Sequence, residues 1–142
     1  MTDEHDQGGS PAAAFLVRCY DETAALLVDA RDYLSDRAAA EAADLPMAAR
    51  IQLTQELTVM TRRLTEAMSW LLLRRAVAAG EITADAARTH DSFNLADEPA
   101  LVEGRGAAID ELPLAARGLI DRSRRLYAQL ARLRASLDSS LA

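Results

Sequence analysis

Few residues of this chain belong to the types that perform catalysis or bind metal ions, and their spacing brings none of them together. His5 lies near the N-terminus and His90 beside a long polar stretch, and neither has a second ligand or a base at helical spacing. Ser139 and Ser140 lack the context of a nucleophilic triad. No Glu-x-x-His pair or Gly-rich phosphate loop is present, so the sequence predicts a protein that is not an enzyme and binds no cofactor or metal.

The single cysteine, Cys19, is predicted to be a small buried side chain. It lies beside the apolar seam of a helical pattern, and its neighbour Arg18 falls on another face, so no cationic neighbour is expected to activate the thiol. One cysteine also excludes a disulfide framework and fits a reducing compartment. Because the N-terminus is acidic and no long apolar run occurs, a cytoplasmic protein without membrane insertion is expected.

Arginines near the C-terminal end raise the alternative of a nucleic-acid-associated helical regulator, because one helix of arginines could neutralise phosphates. The residues are Arg117, Arg122, Arg124, Arg125, Arg132 and Arg134. Against this alternative, the chain has a net charge of −6, only 4% of its residues are aromatic, and no helix-turn-helix spacing is visible. A solvated basic face is therefore favoured, and no nucleic acid is expected as a partner.

The composition predicts an all-α protein. The chain has 142 residues, which suits one domain with its own core. All 16 basic residues are arginine, and alanine is abundant; alanine, leucine, arginine and glutamate are the strongest helix formers. Residues 1–10 are polar and predicted to form a disordered tail, whereas residues 11–142 are predicted to form a single domain.

Apolar residues at alternating spacings of three and four predict three long helices. The first begins at Pro11 and continues to Ala43, where Asp44 is expected to cap the next helix, whose first turn contains Pro46. The second ends at Gly80, a short turn capped by Thr83 follows, and the third begins after Pro113. The predicted seams are Leu16, Tyr20, Thr23, Leu27, Ala30 and Leu34; Leu53, Leu57, Met60, Leu64, Ala67 and Leu71; and Leu119, Ser123, Leu126, Leu130, Leu133 and Leu137. Together these helices predict an antiparallel three-helix bundle.

A long acidic loop is predicted between helices two and three, at about residues 89–112. The stretch has no sustained period and contains proline and two glycines, and a structureless loop of this length is usually functional or disordered. We therefore expect a mobile segment whose acidic side chains are available for docking. The candidates are Asp91, Asp97, Glu98, Glu103 and Asp110.

The second predicted helix has a second apolar stripe, more than 100° from its seam. This stripe contains Val59, Trp70, Leu73 and Val77, and Arg63 and Arg74 flank it. Tryptophan is favoured at the centres of protein interfaces, so one interpretation is a homodimer or partner interface centred on Trp70. The other interpretation is that helices one and three wrap far enough around helix two to bury both stripes.

The segment from Met60 to Thr83 resembles the central helix of the RcdA family, the regulators of CtrA degradation in alphaproteobacteria. The residues that carry most of this resemblance are Ser69-Trp70-Leu71-Leu72-Leu73, followed by Arg75-Ala76-Val77 and Gly80-Glu81-Ile82-Thr83. The match is specific over this segment, and the order of helix, long helix, acidic loop and helix agrees over most of the chain.

The resemblance implies a homodimeric, non-enzymatic adaptor for regulated proteolysis. Family members help deliver cell-cycle proteins, such as CtrA-like regulators, to the ClpXP protease, and they work with the response regulator CpdR, which primes ClpX. The implied partners are therefore a second copy, a CpdR-like response regulator, ClpX with ClpP, and the proteolytic cargo. The implied location is the cytoplasm, with recruitment to a cell pole.

Overall fold

The structure, a computed structural model, describes residues 11–90 and 111–140, except for the side chains of residues 138 and 140. The described residues form five α-helices and no strand. These helices are α1 (Pro11–Asp36), α2 (Ala38–Ala43), α3 (Met47–Ala78), α4 (Ala84–Thr89) and α5 (Leu114–Ser140). The all-α prediction is confirmed, whereas the predicted N-terminal tail lies outside the described residues.

The three long helices α1, α3 and α5 each contact the other two. Arg75, near the C-terminal end of α3, lies 4.7 Å from the ring of Tyr20 in the first half of α1. Arg122, in the first half of α5, pairs with Asp29 in the second half of α1 at 2.9 Å. Because each contact joins the late part of one helix to the early part of the other, α1 runs opposite to both α3 and α5.

Helices α3 and α5 run in the same direction. Glu56 of α3 contacts Arg124 of α5, and one to two turns further along both helices Arg63 lies over the ring of Tyr127. The order of the contacts is therefore the same in both helices. Because α3 and α5 run in the same direction, the chain must travel back along the length of α3 before α5 begins. This accounts for the long stretch of sequence between the two helices.

Helix α1 ends earlier than the sequence predicts, because the chain turns at Arg37. That residue has φ −131° and ψ −32°, outside the helical range, although the alanines that follow it favour helix. The Tyr33 hydroxyl donates a hydrogen bond to Glu41 Oε2 at 2.6 Å, and Arg37 Nη2 donates to Glu41 Oε1 at 2.8 Å. Burial and this carboxylate raise the pKa of Tyr33. Glu41 thus fastens α2 to the end of α1.

The boundary between α2 and α3 also differs from the prediction. Asp44 is the C-cap of α2 rather than the cap of the next helix, and Pro46 occupies the N-cap position of α3 without a side-chain cap. Arg50 compensates for the exposed end of α2, since its guanidinium donates to the carbonyl oxygens of Ala42, Ala43 and Leu45 at 3.1–3.4 Å. A single side chain from α3 therefore contacts all three carbonyls at this corner, and the Ala42 carbonyl also accepts from the Leu45 backbone nitrogen at 3.1 Å.

The end of α3 and the start of α4 agree with the prediction. Gly80 follows the C-cap residue with φ +75°, a conformation that glycine adopts without steric cost. Thr83 Oγ1 accepts a hydrogen bond from the backbone nitrogen of Ala86 at 3.1 Å and so caps α4. The ends of the predicted loop are structured, because Thr89 closes α4 and Leu112 is buried in the core. Residues 91–110 lie outside the described residues.

The core confirms the predicted seam of α3 at all six positions, and the seam of α5 is buried or half-buried throughout. The predicted seam of α1 is confirmed at Thr23 and Ala30, whereas Leu16, Tyr20 and Leu27 are only half-buried at the edge of the core and Leu34 is 42% exposed. The other buried residues of α1 are Cys19, Leu26 and Tyr33, which the predicted seam did not include.

Cys19 is buried, as predicted. Burial raises the pKa of its thiol, the Glu22 carboxylate adds to the increase, and Arg18 opposes it. One turn further on, the buried Thr23 hydroxyl donates to the Cys19 carbonyl oxygen at 2.7 Å. A thiol with a raised pKa in the core is a poor nucleophile, so Cys19 is a packing residue.

Candidate protein-interaction surfaces

The second stripe of α3 is covered by neighbouring helices at its central positions. Trp70 is 3% exposed and Arg63 is 7% exposed within the single chain. The guanidinium of Arg74 lies 5.9 Å from the centre of the Trp70 ring, and that of Arg63 lies 4.7 Å from the Tyr127 ring of α5. This burial matches the alternative that the sequence left open, in which α1 and α5 extend around α3.

The rest of the second stripe is half-buried. Val59, Leu73, Arg74 and Val77 each retain accessible surface along one side of α3. The predicted interface residues therefore divide into two groups. Trp70 and Arg63 offer almost no surface to a partner, whereas these four residues remain candidates for contact.

A buried ion pair, which the sequence did not single out, joins α3 to α5. Glu56 is almost fully buried and accepts hydrogen bonds from Gln52 Nε2 at 3.1 Å and from Arg124 Nη2 at 3.2 Å. The sequence does contain an indication of this ion pair, because the acidic residue Glu56 lies between the apolar seam residues Leu53 and Leu57. A carboxylate in that position must be paired to be tolerated.

The arginines of α5 do not form one basic face. At 100° per residue the six predicted positions are distributed around the helix. Arg122 pairs with Asp29 of α1, and Arg124 pairs with Glu56 of α3. Two of the six are thus used in contacts between helices, so fewer arginines are available to phosphates than the nucleic-acid alternative assumed.

A groove of about 570 Å³ lies between the end of α1, α2 and the N-terminal half of α3. Its lining residues, all within the described part of the chain, include one charged side chain, Arg62. The lining consists of Leu34, Ala38, Ala39, Ala42, Leu53, Thr54, Leu57, Thr58, Thr61 and Arg62. The sequence could not predict this groove because it lies beside the break at Arg37, where the helical backbone is interrupted between α1 and α2.

The threonines of the groove present methyl groups more than hydroxyl groups. Thr54, Thr58 and Thr61 each donate a hydroxyl hydrogen bond to the carbonyl oxygen four residues earlier in α3, at 2.8–3.1 Å. A hydroxyl engaged in this way is turned toward its own helix. The groove surface is therefore more apolar than its residue types suggest.

The acidic docking candidates cannot be placed on this surface. Asp91, Asp97, Glu98, Glu103 and Asp110 lie outside the described residues.

Within residues 11–90 and 111–140, no three histidine, cysteine, aspartate or glutamate side chains are grouped as a metal site would require. None of the described helices is both long and apolar enough for a bilayer crossing.

An apolar groove, a half-buried stripe and ion pairs between the long helices define an all-helical protein with surfaces suited to contacts with other proteins. The chain belongs to the family described as "Protein of unknown function (DUF1465)", whose model matches residues 10–141. It is also similar to RcdA from Caulobacter crescentus CB15, a crystal structure to which it is 28% identical. The match has a TM-score of 0.67 and covers 84% of this chain and 87% of RcdA.

The similarity to RcdA confirms the resemblance that the sequence indicated in the segment from Met60 to Thr83. That segment corresponds to most of α3 and to the Gly80 turn with the Thr83 cap. A comparison with curated proteins found no significant match.

Proposed function

We propose that this chain is a non-enzymatic adaptor for regulated proteolysis. In this role it delivers cell-cycle regulators, such as CtrA-like proteins, to the ClpXP protease together with a CpdR-like response regulator. The observation that supports the proposal is the similarity to RcdA over most of both chains. A location in the cytoplasm, with recruitment to a cell pole, belongs to the same proposal.

An adaptor of this kind acts by tethering. A protein that contacts both protease and cargo raises the effective concentration of the cargo at the protease, so two modest contacts are sufficient. Separate surfaces are then required for the two contacts. The half-buried stripe and the groove of this chain lie on different faces of α3, and the acidic residues of segment 91–110 are a third proposed docking region.

The direct test of tethering is a ternary complex. The full chain is mixed with purified ClpX, the CpdR-like protein and a CtrA-like cargo, and complexes are separated by size-exclusion chromatography with nucleotide present. Co-elution of cargo with ClpX only when this chain is included supports the proposal. Equal co-elution in its absence contradicts it.

We further propose that the adaptor is a homodimer, that its three long helices form a bundle in which α1 is antiparallel to α3 and α5, and that the half-buried stripe contributes to the dimer contact. Val59, Leu73, Arg74 and Val77 would then lie against a second copy. An apolar stripe flanked by arginine suits such an interface, because aromatic, Met and Arg side chains are enriched at interface centres while other charged residues are depleted.

Leu73→Glu is expected to weaken the dimer by about 30-fold, as loss of an apolar side chain at an interface centre typically does. Sedimentation equilibrium at micromolar concentration measures the change. Leu72→Glu is the matched control, since Leu72 is the neighbouring residue on another face of α3 and is 48% exposed. A wild-type chain that sediments as a monomer, or a Leu73→Glu variant with unchanged mass, would contradict the dimer proposal.

A further inference from the structure

Helix α2 is held in place differently from α4, the other six-residue helix that the structure describes. Helix α4 has a side-chain cap at Thr83 and a fully buried residue, Ala87. Helix α2 has neither, because no side chain caps its N-terminal end and none of its residues is buried. A helix of this length is not stable in water on its own, so α2 depends on its contacts with the rest of the chain.

The apolar contacts of α2 are small. Ala38 and Ala42 lie half-buried against the core, and each contributes a single methyl group to that contact. Leu45, which packs there as well, follows the end of the helix. Because the free energy of burial scales with apolar area, two partly covered methyl groups hold a helix weakly.

Hydrogen bonds supply the rest of the attachment. The Glu41 carboxylate accepts from the Tyr33 hydroxyl at 2.6 Å and from Arg37 Nη2 at 2.8 Å. Tyr33 is a buried residue of α1, so the first of these bonds joins α2 directly to the bundle. Arg50 of α3 donates to backbone carbonyl oxygens at and just after the C-terminal end of α2. Glu41 is therefore the α2 side chain that fixes this helix against α1.

Both ends of α2 interrupt the helical backbone. Arg37, before it, has φ −131° and ψ −32°. Pro46, after it, has φ −55° and ψ 154° and no amide hydrogen to donate. Helical cooperativity runs along an uninterrupted backbone, so unfolding of α2 does not have to spread into α1 or α3.

Helix α2 also covers apolar side chains of α3. Leu53 and Leu57 line the groove of about 570 Å³ together with Ala38, Ala39 and Ala42 of α2. Both leucines are buried, at 1% and 6% exposed, although they lie at the wall of an open groove. Departure of α2 removes the opposite wall and uncovers the sides of these leucines that face it.

We infer that residues 37–46 form a strap that Glu41 holds closed, and that this strap opens by local unfolding while α1, α3 and α5 stay packed. In the open state the strap is a flexible link between α1 and α3, and the groove-facing sides of Leu53 and Leu57 are exposed. The Glu41 carboxylate thus sets how much apolar surface this corner of the bundle presents. Segments with few buried contacts are the ones that open below the free energy of global unfolding.

The test is hydrogen–deuterium exchange of the full chain, read by mass spectrometry of peptides from each helix. In the wild-type chain, the amides of residues 39–45 are expected to exchange at least about 100-fold faster than those at the centres of α1 and α3. Glu41→Gln is expected to speed exchange of residues 39–45 about tenfold further and to leave the long helices unchanged, because a neutral amide replaces the charged acceptor of two hydrogen bonds. Tyr33→Phe, which removes the hydroxyl and keeps the ring, is expected to act in the same direction.

Asp44→Asn is the matched control, since it makes the same change of charge at the exposed C-cap of α2. It is not expected to speed exchange of the strap. Equal effects of Asp44→Asn and Glu41→Gln would overturn the role of Glu41. Wild-type protection of residues 39–45 equal to that of α3, or an increase that Glu41→Gln spreads equally over all helices, would overturn the strap as a separate unit.

Thiol labelling tests the uncovering of α3. The thiol introduced by Leu57→Cys is expected to react with a disulfide reagent at least about tenfold faster than Cys19, which is buried in the first half of α1 and serves as the internal reference. Addition of Glu41→Gln is expected to speed labelling at position 57 and to leave Cys19 unchanged. Labelling at position 57 as slow as that of Cys19 would overturn the inference. Amide exchange and labelling need neither protease nor cargo, so their outcome is separate from that of the adaptor function.

Discussion

Trp70→Ala is expected to lower the free energy of unfolding by about 3–5 kcal/mol, the largest effect of any substitution proposed for this chain. The side chain is 3% exposed and packs in the core between the long helices, so its removal leaves a cavity that the helices cannot fill. The contact between its ring and the Arg74 guanidinium is lost as well. Urea denaturation followed by circular dichroism measures the change.

Leu72→Ala is the control for this prediction, because Leu72 lies only two residues further along α3 but is 48% exposed. Its expected cost is below about 1 kcal/mol. The opposite pattern would be a Trp70→Ala variant with wild-type stability and a reduced oligomeric mass. That result would restore the hypothesis that Trp70 itself lies at an interface between chains.

Arg124→Leu is expected to destabilise the fold by about 1–3 kcal/mol, because it leaves the Glu56 carboxylate buried without its cationic partner. Gln52 still donates to the other carboxylate oxygen, so the charge is only partly compensated. The second substitution Glu56→Gln is expected to recover much of the loss, since a neutral amide needs no counter-charge. A double-mutant cycle from urea denaturation measures this coupling.

Arg125→Leu provides the matched control for the ion pair. Arg125 is the next residue of α5 and is exposed, so its removal is expected to change the unfolding free energy by less than about 0.5 kcal/mol. Equal effects of Arg124→Leu and Arg125→Leu, or strictly additive effects of the Arg124 and Glu56 substitutions, would show that the buried pair contributes nothing specific.

The sequence predicts α3 well because its apolar periodicity and the residues at its C-terminal end indicate the same helix. The six seam residues share one face, Gly80 adopts the positive φ expected of a residue after the C-cap, and Thr83 caps the next helix as its position indicates. Local pattern and tertiary packing favour the same arrangement here. Strong periodicity with correct end signals is the situation in which sequence reasoning is most dependable.

The face of α1 could not be predicted in the same way, because it has apolar residues on two adjacent faces. Leu26 and Leu27 differ by 100° around the helix, and periodicity alone does not show which of them meets the neighbours. Contacts with α3 and α5 bury Leu26 and leave Leu27 at the edge of the core. The choice depends on the placement of the other helices, which a pattern within one helix does not contain.

The break at Arg37 and the groove beside it depend on side-chain contacts between elements. The alanines that follow Arg37 favour a continuous helix, yet the chain turns where Glu41 can bind Tyr33 and Arg37. The groove lies beside this break in the helical backbone, so no property of the alanine run predicts it. The candidate surface is therefore recognised only from the folded chain, whereas the family was recognisable from the segment Met60 to Thr83.

The most direct test of the adaptor function is the rate of cargo degradation. Purified ClpXP, a CpdR-like response regulator and a fluorescent CtrA-like cargo are combined with increasing amounts of this chain. Tethering predicts that the initial rate rises, saturates and then falls at high concentration, when separate adaptor molecules occupy protease and cargo. A rate that stays at the basal value across the whole titration, with the folded chain and an active protease, would contradict the adaptor function.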